Sequence, residues 1–291
     1  MSGRLRWAIK RLRASQPANA VLTGTVRTGL RLAGVRSEFA AMHLPRVGTT
    51  RSRLPNGRVL TLHSAGDDWV SNRVFWFGWS GYEPEASAIF FDLARRSRCT
   101  VDVGAHVGFY ALLAGHANPD GCVIAFEPLD LAFDRLTRNV ALNRLAGLRT
   151  ERLAVAEHAE CRSFLVARGD GIPSNSGFRG GGAGARAVEV ETVRLDDYLR
   201  ERRIEAIDLV KIDTEATEPE VLAGMPCTLR RDRPDILCEV LPWADTEGLE
   251  RLLEPHGYRY YQLLADGPAQ RERITGEPVW FNYLFTARPS V

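Results

Sequence analysis

The segment Thr100-Val101-Asp102-Val103-Gly104-Ala105-His106-Val107-Gly108-Phe109-Tyr110 constrains the fold more than any other stretch of this chain. Cys99, Val101 and Val103 set a short apolar strand, Gly104 ends it, and a helical pattern runs on from about Phe109. A buried strand that turns through glycines straight into a helix opens a βαβ unit, so a parallel sheet has to follow. Glycine at 104 and 108 lets the backbone turn left-handed and approach a ligand closely. Asp102 is an acid inside an apolar strand, and such an acid suits a cationic partner.

The rest of the chain keeps the same rhythm. Strand candidates fall at 99–104, 122–127, 149–155, 207–213, 235–240, 258–264 and 279–286. Helix candidates fall at 108–116, 129–145, 194–203, 217–230 and 245–255. This alternation predicts an α/β domain over 99–291, with a mostly parallel seven-stranded sheet and helices on both faces. Two β-rich stretches, 161–168 and 186–195, interrupt it and read as an extra hairpin. Between them, Gly169 to Gly184 reads either as a loop that closes over substrate or as an unstructured excursion. Residues 45–98 read as a small lead-in subdomain with a hairpin at Asn56-Gly57 and a helix over 84–96. Its aromatics, Phe75, Trp76, Phe77, Trp79 and Tyr82, either wall a pocket or form a core.

Residues 1–44 form a basic N-terminal helical segment; residues 1–37 carry eight basic side chains and no acid. Leu5, Ala8, Ile9 and Leu12 share one helical face, and Arg4, Arg6, Lys10, Arg11 and Arg13 share the other. Such a helix lies on an anionic membrane surface or docks on its own domain. No apolar run approaches the roughly 20 residues a membrane span needs. The net charge of +2 demands no nucleic-acid partner. Five cysteines, an odd count with no CxxC pair, fit reduced thiols and a cytoplasmic setting, with peripheral membrane contact through residues 1–37. Lys10 and Lys211 are the only lysines, which reads as a compositional bias toward arginine.

A second motif, Val123-Ile124-Ala125-Phe126-Glu127-Pro128, is an apolar strand ending in an acid 23 residues past Gly104. An acid at about that spacing binds the ribose of a nucleotide, because two carboxylate oxygens match two vicinal hydroxyls. A solvated strand end is the plainer alternative. A third motif, Asp208-Leu209-Val210-Lys211-Ile212-Asp213-Thr214-Glu215, is a buried strand that ends in acids. Ligands of open α/β sheets bind beyond the carboxyl ends of the strands, so Asp102, Glu127, Asp213 and Glu215 are expected at one edge. Burial and repulsion there raise a carboxyl toward a usable base, although Glu215, Glu218 and Glu220 also suit a helix N-terminus. His106, inside the glycine turn, either takes a proton from an acceptor hydroxyl or hydrogen-bonds backbone or ligand. The acids and the turn together suit S-adenosylmethionine (SAM), whose methionine end is cationic and whose ribose offers two hydroxyls.

The motifs resemble the FkbM family of SAM-dependent methyltransferases: VDVGAHVGFY at 101–110, AFEP at 125–128, NVALN at 139–143, LAV at 153–155, VRLDDYL at 193–199, DLVKIDTE at 208–215, VLAG at 221–224 and PDILCEV at 234–240. The resemblance implies a Rossmann-like class I methyltransferase acting on a hydroxyl of a sugar, lipid-linked glycan or secondary metabolite. It implies Asp102, Gly104, Ala105 and Gly108 at the methionine end of SAM, Glu127 at the ribose and Leu153-Ala154-Val155 near the adenine. Asp213 and Glu215 would face the methionine end or the acceptor, and His106, Asp213 and Glu215 are the candidates for proton removal. One departure stands out: the family commonly reads D-x-E-G-x-E, and Ala216 stands where the glycine is usual. A positive φ at that position would strain the turn.

Two other readings stay open. One is a nicotinamide-dependent oxidoreductase, against which the G-x-x-x-G spacing and Asp102 both argue. The other is a non-catalytic module that keeps the fold for partner binding. The six histidines show no metal-ligand spacing, and neither a serine-nucleophile motif nor a P-loop is present. The expected partner is a small-molecule or glycan acceptor.

Overall fold

The computed structural model describes residues 15–168, 171–172, 176–178 and 184–288. The amphipathic stretch over residues 5–13 and most of the glycine run at 179–184 lie outside the described residues. The chain forms two compact units, one of Met1–Glu83 with Asp170–Ile172, the other of Pro84–Gly169 with Pro173–Val291.

In the first unit, helices α1 (Gln16–Leu32) and α2 (Glu38–His43) precede a hairpin of β1 (Val47–Arg53) and β2 (Val59–Ala65), and α3 (Trp69–Phe77) follows. The hairpin turns at Asn56-Gly57 as expected, with Gly57 at φ +83°. Asp68 caps α3 by accepting the Ser71 N–H at 2.6 Å. Phe75 and Trp76 are buried beside Ala40 and Ala41. The guanidinium groups of Arg27 and Arg46 lie 4.8 and 5.1 Å from the Phe75 ring centre. Of the two readings of the aromatic cluster, these two side chains take the core one.

The second unit runs α4 (Pro84–Ala94), β3 (Cys99–Val103), α5 (Phe109–Ala117), β4 (Cys122–Phe126), α6 (Asp130–Asn143), β5 (Leu148–Glu151), β6 (Ala154–Val155), β7 (Cys161–Val166), β8 (Arg186–Val193), α7 (Leu195–Glu201), β9 (Leu209–Ile212), α8 (Glu218–Ala223), α9 (Pro226–Arg231), β10 (Asp235–Glu239), α10 (Thr246–Leu253), β11 (Arg259–Leu264), β12 (Gly267–Arg271) and β13 (Asn282–Thr286). The main sheet has the order β12-β11-β13-β10-β9-β3-β4-β5. Strands β5, β4, β3, β9 and β10 pair in parallel, and β13 runs antiparallel between β10 and β11. The chain builds outward from β3 to β5 and then returns to the other side of β3 through β9. That reversal is a topological switch point, where open sheets bind ligands.

Seven strands were expected and eight are present. The candidate at 149–155 splits: β5 stays in the main sheet, while β6 pairs with β8 in a separate three-stranded sheet. Strand β12 folds back on β11 through Gly267, at φ +122°. The extra hairpin is present as antiparallel β7 and β8. The expected helix over 217–230 is two helices, because Pro226 has no N–H to continue the first and opens the second. Asp196 of α7 caps α9, accepting the N–H groups of Cys227 and Thr228 at 2.6 and 3.0 Å. The core lies on the central strands, with Val101, Val103, Ile124, Phe126, Val210 and Ile212 buried. Helix α4 packs here through Phe90, whose ring meets Tyr110 of α5 edge-on at 4.9 Å. All five cysteines are free thiols. Among the described residues, no helix is long and apolar enough to cross a membrane.

Candidate active site

The carboxyl ends of β3, β4 and β9 meet at the switch point. The turn after β3 is hooked onto β4, because Gly104 and Ala105 both donate their N–H groups to the Phe126 carbonyl, at 3.0 and 2.9 Å. Gly104 has φ +79°, and a Cβ there would lie 1.9 Å from the Asp213 carbonyl oxygen. Gly108 has φ +91°, and a Cβ would lie 2.5 Å from Leu136 Cδ1 of α6. The space over both glycines is filled by the protein itself. Their absent side chains let β9 and α6 close on the turn, and the ligand reading of the sequence does not explain them.

Asp102 is buried, and its Oδ2 accepts the Ala111 N–H at 2.8 Å. Burial pushes its carboxyl up to about 7; Lys211 and the Ala111 N–H oppose the rise, and Asp213 and Glu127 add to it. Glu127, also buried, accepts the His106 N–H at 2.8 Å on Oε2 and the Leu129 N–H at 2.9 Å on Oε1. Burial pushes it up to about 7 as well, against those two hydrogen bonds. Each oxygen keeps one lone-pair site, so the pair is fixed in place and still able to accept two hydroxyls. His106, whose N–H Glu127 accepts, has φ +51°.

The third strand brings the remaining acids. The Asp213 N–H donates to the Val103 carbonyl at 3.0 Å, and its Oδ2 accepts from Lys211 Nζ at 3.3 Å. Glu215 follows at φ +56° and Ala216 at φ +74°, so the alanine at the usual glycine position is indeed in left-handed backbone. Burial, then Asp213 and Glu218, push the Glu215 carboxyl up to about 8. Glu218, expected as a helix-terminal charge, is buried and braces this turn: its Oε1 accepts from Ala216 N, Thr214 Oγ1 and Thr214 N at 3.0, 3.2 and 3.3 Å.

The fold thus gathers Asp102, His106, Glu127, Asp213 and Glu215 at one edge. Ala154 lies on β6 in the small sheet, buried with Phe164 and Val190, and Leu129, whose N–H donates to Glu127, packs against the same cluster. Two residues at the edge were not singled out as site residues in the sequence, although Gly177 falls in the glycine-rich stretch read as a loop over substrate or an excursion. Gly177 exchanges two backbone hydrogen bonds with Leu165, at 3.0 and 3.1 Å, and a Cβ on it would lie 3.2 Å from Glu215 Cβ. A glycine-rich excursion gives no sign of that. Lys211 did leave a sign, as one of two lysines in an arginine-rich chain.

A switch-point edge lined by buried carboxyls fits a ligand with a cationic end and a diol, which are the features of SAM. Residues 102–260 match the family model described as the methyltransferase FkbM domain. The chain is 29% identical over 241 residues to 31-O-demethyl-FK506 methyltransferase FkbM of Streptomyces tacrolimicus, covering 71% of this chain and 87% of that protein. It is 32% identical over 155 residues to methyltransferase sdnD of Sordaria araneosa, covering 43% of this chain and 59% of that one. It is 27% identical over 146 residues to 2-O-methyltransferase NoeI of Sinorhizobium fredii, again spanning 59% of the relative. A solved FkbM methyltransferase from Methylobacillus flagellatus superposes with a TM-score of 0.44 at 15% identity, over 75% of this chain and 54% of that one.

The fold and the edge define a Rossmann-like methyltransferase that draws its methyl group from SAM. Since the family model spans more than half of its length, this chain belongs to the FkbM methyltransferase family.

Proposed function

We propose that this protein is a SAM-dependent O-methyltransferase whose acceptor is a hydroxyl of a sugar, a lipid-linked glycan or a secondary metabolite. The observation that carries the reading is the convergence of Asp102, Glu127, Asp213 and Glu215 at the switch point, with three of the four pushed toward neutral pKa values. When bound, SAM supplies an electrophilic methyl group on a cationic sulfur. Asp102, as the carboxylate, would hold the ammonium of the methionine end, and Glu127 would accept from the ribose hydroxyls. Glu215 would take the proton of the acceptor hydroxyl on a carboxylate oxygen as the hydroxyl oxygen bonds the methyl carbon and the carbon–sulfur bond breaks, the sulfur leaving with its electron pair as S-adenosylhomocysteine. The surroundings of Glu215 give it a base strength that an ordinary surface carboxylate lacks. Asp213 lies close enough to act on it, and much of the remaining rate would come from holding the hydroxyl in line and dry. The names of the Streptomyces and Sinorhizobium relatives specify O-methylation, which supports an oxygen acceptor here.

Incubation with SAM and a panel of sugars, glycolipids and polyols tests this, read as S-adenosylhomocysteine (SAH) formed and methyl placed on oxygen. Glu215→Gln is expected to slow turnover on a responsive acceptor by about 100-fold or more with SAM affinity kept. His106→Ala and Asp213→Asn rank the other candidate bases in the same assay. Methyl recovered on nitrogen or carbon would contradict the O-transfer reading; SAM binding with no turnover on any acceptor would favour a binding module. The basic residues 1–37 are proposed to touch an anionic membrane, and unchanged liposome binding after their deletion would sink that part.

A further inference from the structure

A chain that draws nearly all its positive charge from arginine keeps a lysine at one buried place. Of 38 lysines and arginines only Lys10 and Lys211 are lysines, and Lys10 lies outside the described residues. Lys211 is 1% exposed. It lies on β9 in register with Asp102 of β3 on one side and Leu237 of β10 on the other. Residues in register on neighbouring parallel strands project to the same face of the sheet, so the ammonium and the Asp102 carboxyl share a face. Nζ donates to Asp213 Oδ2 and to the Ile212 carbonyl, both at 3.3 Å, and stands 5.2 Å from the centre of the Tyr110 ring. A compact ammonium on a flexible stem suits that confined position, which a planar guanidinium fork does not.

The titratable groups that meet Lys211 are Asp102 from β3, Asp213 and Glu215 from the end of β9, Cys238 from β10 and Tyr110 from α5, and Glu127 from β4 and Glu218 from α8 act on the same acids. Several buried acids so close together repel one another, and burial alone favours their neutral forms. Lys211 is the strongest influence holding Asp102 down, and it acts on Glu215 in the same direction. We propose that Lys211 is the positioning residue of the donor site: its ammonium, hydrogen-bonded to Asp213 and in register with Asp102 on the neighbouring strand, favours the Asp102 carboxylate, so that the pocket offers a negative charge to a cationic ligand at neutral pH. This rests on the SAM reading above.

Titration calorimetry with SAM from about pH 6 to about pH 9 tests the inference on the full chain, with wild type, Lys211→Met, Lys211→Arg, Asp102→Asn and the Asp102→Asn/Lys211→Met pair. Wild-type affinity is expected to fall as the pH drops below about 7, where Asp102 takes up its proton. In Lys211→Met the midpoint should move up by about one unit or more, so affinity drops about tenfold near neutrality and recovers at the alkaline end. Lys211→Arg, where it folds, keeps the charge and should keep the wild-type midpoint, whatever affinity the poorly fitting guanidinium costs at every pH. In the Asp102→Asn background, Lys211→Met should cost no more than about twofold, because the group it acts through has lost its charge. The same loss at every pH, or an undiminished loss in the Asp102→Asn background, would reduce Lys211 to a packing role and overturn the inference. Where Lys211→Met does not fold, Lys211→Gln carries the test: losing the ammonium should again move the midpoint up, and a fixed midpoint overturns the inference. A wild type that binds neither SAM nor SAH at any pH would contradict the donor reading itself.

Discussion

Two consecutive residues in left-handed backbone, Glu215 and Ala216, set how the acidic turn meets the site. Neither is glycine, and such a conformation costs a residue about 1–2 kcal/mol. The hydrogen bonds that Glu218 accepts from Thr214 and Ala216 hold the turn in place against that cost. Ala216→Gly relieves the strain while making the unfolded chain more flexible, and a net gain of about 1 kcal/mol in urea unfolding is expected; a loss of that size would contradict strain at this position. A second consequence comes from Asp102 and Glu127, pushed up to about 7, and Glu215, pushed up to about 8. A carboxyl whose pKa rises on folding takes up protons as it folds. Its contribution is present in full below about pH 4 and is lost as the pH rises through about 7–8. The melting temperature of the unliganded protein is therefore expected to fall between about pH 5 and about pH 8, and saturating SAH should restore more of it at the alkaline end. A profile that rises over that window would contradict these shifts. At this scale the acids were readable, because each stands in or at the end of an apolar strand. The role of Gly104 was not, since the atom that forbids its side chain belongs to a carbonyl more than a hundred residues away in the sequence.

The hairpin of β7 and β8 shows what an element adds. Its strands were readable from their β-formers, yet the small piece at 176–178 that bridges back to Leu165 was hidden in a glycine-rich run. Arg162 of β7 lies 4.0 Å from the Phe178 ring centre and pairs with Glu220 of α8 at 2.5 Å, while Phe164 meets Phe178 edge-on at 5.1 Å. The hairpin is thus tied both to the helix after the Glu215 turn and, through Gly177, to the turn itself. Adding one methyl at Gly177 brings it 3.2 Å from Glu215 Cβ and 3.3 Å from the Glu215 carbonyl oxygen. Gly177→Ala is expected to lower kcat several-fold with little change in SAM affinity, measured by steady-state rates beside calorimetry. An equal loss in SAM affinity would show that the hairpin serves the donor site instead. Element boundaries failed in the sequence where a single residue decides them. Pro226 divides a helical pattern that is otherwise continuous. Beyond β5, two residues leave the main sheet before β6 joins another, although the residue types stay β-like throughout.

Across the whole molecule, the strand order carries the functional argument. The alternation of strand and helix made a parallel sheet foreseeable, and the glycine turn located its first strand. The antiparallel β13 and the returning β12 were not foreseeable, because periodicity gives a strand's presence and not its direction. What the order does is bring β3, β4 and β9 side by side, so that acids far apart in sequence meet at one edge, where open sheets bind ligands. Calorimetric titration of wild type and Glu127→Ala with SAM and SAH tests that claim most directly, with melting temperatures confirming that both proteins are folded. Wild type should bind both nucleosides, and the variant should lose about tenfold to 100-fold in affinity, as expected when charged hydrogen bonds to the ribose are removed. Equal affinity in a folded variant, or no binding by the wild type, would contradict the site.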